Sequence, residues 1–358
     1  MFAMPKKLLW GLLFLFSFVH VSAQTGHFYP SDLFSSGLIS SMCQDRRGSI
    51  WIGTDVGLNR FDGYHFGTFY HNDADTTSLS VDVVVSLFCD RSGRVWIGTN
   101  RGLDRYNEAR DCFEHYRFPN GLSPRVSCII QRRDGTILVG TAGYGAFQVG
   151  SDNQLRPFDI GSGDYFFSNM YEDSKGRFWK NGFDETICMW SEGRLKKMRS
   201  PFGTVMAYAE RNGQLLALCT NGLMIEQGGQ LVPLKVDFGA LSGKDVVLTG
   251  MAVGSDDNIY IGTRGLGVWR LVASPTYRLQ EVQINTFGID MHTSMIRSIM
   301  FDRNNNLWLG CHRKGVVMVP QKPTAFATWS FTAQGVLLGS TISSVCEGDN
   351  GMTWCTVQ

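Results

Sequence analysis

Short apolar runs, each closed by a turn signal, recur along this chain. Val83 to Cys89 is apolar almost throughout, as a strand covered on both faces requires. Arg94 to Thr99 alternates around Val95 and Ile97. Gly102 to Tyr106 reads as a third strand, and the more polar Cys112 to Phe118 as a fourth, suited to an outer edge. No segment after residue 23 carries a long apolar stripe at helical spacing, so the pattern predicts strands without helices.

The same unit returns. Ile50-Trp51-Ile52-Gly53-Thr54 aligns with Val95-Trp96-Ile97-Gly98-Thr99, and the neighbours fall into step. Asp45-Arg46-Arg47-Gly48 matches Asp90-Arg91-Ser92-Gly93, and Gly57-Leu58-Asn59-Arg60-Phe61 matches Gly102-Leu103-Asp104-Arg105-Tyr106. Further copies centre on Leu138, Trp179, Leu216, Tyr260, Trp308 and Trp354, a mean step of roughly 43 residues. Four strands at that period make a β-propeller blade. The fold class is therefore all-β, with about seven four-stranded blades and the start of a further repeat.

The recurring residues have mechanical roles. Asp45 and Asp90 can accept hydrogen bonds from the backbone of their own turns. Gly48 and Gly93 can take the positive φ that closes a short hairpin, as Gly57 and Gly102 can in the next one. Trp51, Trp96, Trp179 and Trp308 project where neighbouring blades pack, and burial of such a ring stabilises by about 3–5 kcal/mol. Recurrence in blade after blade marks these residues as scaffold.

Charge and composition narrow the function. Lys and Arg total 33 against 32 Asp and Glu, so the basic excess that nucleic-acid binding needs is missing. The 41 glycines beside 10 prolines fit many tight turns. Lys6 and Lys7, the apolar run Leu8 to Val19 and Val21-Ser22-Ala23 form a secretory signal, with cleavage expected after Ala23 and a periplasmic product. No later run is long and apolar enough to span a membrane. Nine cysteines without a C-x-x-C pair, and histidines without H-x-H or H-E-x-x-H spacing, read as buried hydrophobes and scattered polar residues rather than a metal site. No cofactor is implied.

The pattern D-x-x-G-x-(I/V/L)-W-(I/L)-G-T-x-x-G-L-x-R-(F/Y), preceded by Gly37-Leu38-Ile39 or Gly121-Leu122-Ser123, resembles the two-component regulator propeller repeat. His71-Asn72-Asp73 and Ser78-Leu79-Ser80 fit that family's inter-blade loop. The resemblance covers residues 27 to 358 and is loosest at Trp179-Lys180-Asn181-Gly182 and Ala217-Leu218-Cys219-Thr220. It implies the periplasmic sensor of a hybrid two-component system, non-catalytic in itself, responding to oligosaccharides from polysaccharide breakdown. The membrane, kinase and output parts of such a system are not in this chain, which then reads as the N-terminal piece. Partners so implied are an oligosaccharide and the remaining sensor or kinase parts, with a homodimer left open.

Ligand binding would use the loops that break the repeat, above all the hairpins between second and third strands. Tyr144, Arg264 and His312 are the leading candidates, followed by Asn100, Arg101 and Asp184. A structural or protein-docking propeller is the alternative, and lyase or hydrolase chemistry finds no paired carboxylates or arginine cluster to support it. The expected division is 1–23 signal peptide, 24–332 seven-bladed propeller, and 333–358 an incomplete eighth repeat that starts a second propeller. Either His27 to Tyr29 or Phe326 to Phe331 is expected to close the ring.

Overall fold

In the computed structural model, residues 24–159, 161, 163–273, 276–321, 342–347 and 353–357 are described. The predicted leader, the segment Phe326 to Phe331 and the boundary at residue 332 lie outside them. Seven mainly antiparallel sheets follow one another around a ring, and their inner strands are Ile39–Gln44, Val84–Cys89, Val126–Gln131, Asn169–Glu172, Val205–Arg211, Leu248–Val253 and Ile296–Phe301, blades 1 to 7. Five have the expected four strands, whereas blades 6 and 7 add a fifth, parallel edge strand, Val236–Asp237 and Ile284–Thr286. Blade 2 continues through Val95–Thr99, Gly102–Asn107 and Cys112–Tyr116, and most others repeat that meander. Helix among the described residues is confined to the 3-10 turns Ser31–Leu33, Pro119–Gly121 and Gly239–Leu241.

Blade 7 supplies only three strands in sequence. Its fourth is Gln24–Pro30, antiparallel to Gly315–Val319 with His27 opposite Met318 and Pro30 opposite Gly315. The N-terminal candidate thus closes the ring, with a strand longer than His27 to Tyr29. Aromatic packing explains the choice: Tyr29 lies parallel to Trp308 at 6.0 Å and 5.1 Å from Phe61, so one ring joins blade 7 to blade 1.

Each letter of the repeat now has a cause. Asp90 Oδ1 accepts the N–H groups of Ser92 and Arg94, while Oδ2 accepts Trp96 Nε1–H at 3.0 Å. The same Asp-to-Trp bond recurs at Asp45–Trp51, Asp173–Trp179 and Asp302–Trp308, 2.8–2.9 Å long. It satisfies the indole N–H of a ring that is 0–4% exposed. Trp96 packs on Val126, Ile129 and Val139 of the next blade, as its position predicts. Thr99, fully buried, donates from its hydroxyl to Gly102 O at 3.0 Å and ties down the following hairpin, where Gly102 holds φ 150°. Glycine before that threonine is a matter of space. A Cβ on Gly98 would come within 2.6 Å of Val126 in blade 3, and one on Gly310 within 2.8 Å of Ile39, across the ring closure.

Two further regularities are absent from the sequence reading. Every inner strand except that of blade 4 contains one extra residue near its start: Ser40, Val85, Ser127, Met206, Thr249 and Arg297. On the opposite side, backbone N–H groups just past the turn aspartate position reach a side chain of the next blade. These bonds are Arg91 to Gln131 at 2.9 Å, Arg133 to Glu172 at 2.6 Å, Ser174 to Glu210 at 2.7 Å, and Arg303 to Gln44 at 2.8 Å across the closure. Beyond the ring, Ile342–Glu347 pairs with Thr353–Val357 and shows the same register shift, between Ile342 and Ser344.

Candidate ligand-binding face

The inner strand of each blade starts opposite the end of the second strand, Ile39 against Thr54 and Val84 against Thr99. Second-to-third-strand hairpins and inter-blade crossovers therefore open on one face, around the mouth of the central channel, and the Asp–Gly turns lie on the other. All six predicted ligand residues are on that face. The fold brings them together in two groups and leaves a third apart.

The first group is aromatic. Tyr144 sits on the blade 3 hairpin, Tyr165 and Phe166 on the crossover into blade 4, and Phe183 on the blade 4 hairpin. They are 51, 63, 51 and 55% exposed, whereas most rings among the described residues are buried or half-buried. Gly143 and Gly145 both donate their N–H groups to Tyr165 O, at 3.1 and 2.9 Å, which fixes the hairpin to the crossover. Phe166 meets Phe183 edge-on at 6.2 Å. Asp184 sits beside Phe183 and accepts from the Thr186 hydroxyl and N–H, which hold its carboxyl below the ordinary range. Its bonds are local, so it shapes the hairpin.

Lys180 anchors this group from below. It occupies the slot filled by Ile52, Ile97, Val139, Ala217, Ile261 and Leu309 in the other blades and is fully buried. Its ammonium donates to Asp164 Oδ2 at 2.5 Å and Phe166 O at 3.4 Å, and lies 4.4 Å from the Phe167 ring. A lysine that looks like a defect in the repeat is thus the clamp on the aromatic crossover.

The second group is basic. Arg264 on the blade 6 hairpin bridges Met295, whose carbonyl accepts the His312 N–H at 2.9 Å, so both residues flank one crossover. Arg313 follows His312, and Arg297 is the extra residue of the blade 7 inner strand. Burial, then the charges of Arg313 and Arg297, push His312 below the usual imidazole range. Asn100 and Arg101 stand apart on blade 2. The Asn100 side chain accepts from Arg125 at 3.5 Å, and Arg101 borders a cavity of about 480 Å³ with Phe118 and Asn120. Tyr165, Phe166 and Arg297 escaped the sequence reading. Comparison of the residue after each inner-strand start would have exposed Arg297 as the charged member of its column.

Residues 33–56 and 78–101 match the two component regulator propeller family, so the chain carries repeats of that kind on a seven-bladed β-propeller. A stretch of 74 residues is 36% identical to histidine kinase P4 of Formosa agariphila, covering 19% of this chain and 5% of that protein. Among solved structures, the extracellular domain of a putative hybrid two component system from B. thetaiotaomicron matches with TM-score 0.72 and 21% identity, over 93% of this chain and 46% of that one. Virginiamycin B lyase from Staphylococcus aureus matches with TM-score 0.62 and 14% identity, over 80% of this chain and 96% of that one. The chain thus spans under half of the solved extracellular domain and a small part of the kinase. Among the described residues no helix is long and apolar enough to cross a membrane.

Proposed function

We propose that this chain is a non-catalytic ligand-reading propeller on the periplasmic side of a hybrid two-component system, detecting oligosaccharides released from polysaccharides. The observation that carries the reading is the aromatic group: four exposed rings on the loop-bearing face, held by a buried lysine and backbone bonds. Sugar rings stack on such surfaces through their C–H faces while loop polar groups take the hydroxyls. The repeat family and the likeness to extracellular sensor domains support the signalling context. The lyase shares the fold at 14% identity, which brings no activity with it.

Calorimetric titration of the purified chain against panels of plant, algal and host oligosaccharides tests this. Tyr144→Ala and Phe166→Ala should each weaken the positive ligand at least about ten-fold, with melting temperature unchanged. Failure of the whole panel to bind would favour a docking propeller without a small ligand. Export is tested by mass spectrometry of periplasmic material, where the mature chain should begin at Gln24.

A further inference from the structure

The basic group on blades 6 and 7 sets three exposed arginines around one crossover. In the column of extra inner-strand residues, Ser40, Val85, Ser127, Met206 and Thr249 are uncharged, and Arg297 alone carries a charge. Several arginines on the blades are neutralised by a carboxylate, Arg94 by Asp90, Arg132 by Glu172 and Arg177 by Asp173 and Glu226. Arg264, Arg297 and Arg313 are exposed and form no ion pair among the described residues. Nearby carboxylates are already engaged, Asp290 with Thr293 and the His292 N–H, and Glu281 with His292. Lys244 and Asp245, on the crossover into blade 6, offset each other. Asp55, on the adjoining blade 1 hairpin, makes no ion pair among the described residues. The local surplus is therefore positive in a protein whose formal net charge is only +1.

Unpaired guanidinium groups beside a concave mouth are receptors for planar or tetrahedral anions, which they bind through two parallel N–H donors. Blades 3 and 4 lie across the ring from blades 6 and 7, so a ligand that stacks on the aromatic group extends toward these arginines. His312, held below the usual imidazole range by burial and by Arg313 and Arg297, adds a hydrogen-bonding group beside them. We infer that the oligosaccharide read at this face is acidic, bearing a carboxylate or a sulfate ester that Arg297, Arg264 and Arg313 receive. This inference rests on the glycan-reading function proposed above.

The test uses matched pairs on the full purified chain. An oligogalacturonide is compared with its methyl ester, and a sulfated galactan oligosaccharide with its desulfated form, at about 20 and about 500 mM salt. At least one acidic member should bind about ten-fold or more tightly than its neutral partner, and the gap should shrink at high salt. Arg297→Ala and Arg264→Ala should each reduce that preference and leave both melting temperature and affinity for the neutral partner unchanged. Which pair shows the preference separates carboxylate from sulfate. Equal affinity within both pairs, or equal loss for acidic and neutral members in Arg297→Ala, overturns the inference while the glycan reading stands. If neither series binds, and the wider oligosaccharide panel is silent as well, both readings fall.

Discussion

Lys180 and Asp164 form an ion pair with unequal burial, and that inequality makes an asymmetric prediction. The lysine side chain is 0% exposed, whereas the aspartate side chain is 31% exposed. Lys180→Met removes the charge that is hardest to hold and places a flexible apolar chain in a slot that six other blades fill with aliphatic residues. The Asp164 carboxylate left behind still reaches water. Loss of the ion pair and relief from desolvation then nearly cancel, and stability should change by no more than about 1 kcal/mol. Asp164→Ala does the opposite. It leaves an ammonium in the interior with two carbonyls and one aromatic ring, at a cost of about 3 kcal/mol. For a domain this large that corresponds to a fall of about 6–12 °C in Tm. The double variant should recover most of the loss, because no buried charge remains. Urea denaturation and calorimetry of the three variants measure these terms as a double-mutant cycle. Chymotrypsin supplies a local readout: cleavage after Tyr165 or Phe166 should quicken in all three, since the crossover loses its anchor. The reasoning fails if Lys180→Met costs as much as Asp164→Ala, or if cleavage is unchanged while stability drops.

Asp90→Ala should cost about 2–3 kcal/mol in urea unfolding, because the Trp96 indole N–H and two turn N–H groups lose their acceptor in a buried site. Gly102→Val should destabilise by about 1–3 kcal/mol through backbone strain alone, since nothing lies within 4 Å of the new Cβ. Gly98→Ala should cost a similar amount for the opposite reason, steric conflict with the Ser86 hydroxyl and Val126 at an ordinary φ, and trimming both neighbours to Ala should ease only the second. Glu226 accepts from Arg177, Lys175 and the Gly229 N–H, and the Arg177 bond above all lowers its pKa from 4.5 to about 2. Its contribution is present above pH 4.5 and lost as pH falls toward 2, so Glu226→Gln should flatten the stability profile in that window. Removal of residues 333–358 should leave Tm and solubility at least as high as in the full chain, whereas removal of 24–30 should unfold it by opening the ring.

The sequence by itself determined the blade. Its period, its four strands and the turn positions of Asp90, Gly93 and Gly102 depend on contacts within about forty residues, and each repetition of them reinforces the reading. The burial of Trp96 against the next blade followed from the same repetition, since every blade meets its neighbour alike. What the tertiary structure decided is where that symmetry breaks. Gln24–Pro30 pairs with Gly315–Val319 only because the ring returns to its start, a contact that no local pattern encodes. Lys180 looked like an interruption of the motif until the fold set Asp164 against its ammonium. Tyr165 and Phe166 lie on a crossover with no aligned counterpart, and Arg297 occupies a bulge, where one extra residue redirects a side chain that simple alternation would assign differently. Tyr144 and Asp184 were legible as hairpin residues but not as neighbours of three further rings. Local propensity and repetition fix a scaffold, because their causes lie within one blade. The candidate binding face is built from residues that depart from the repeat, and which of these meet is settled only when seven blades close into a ring.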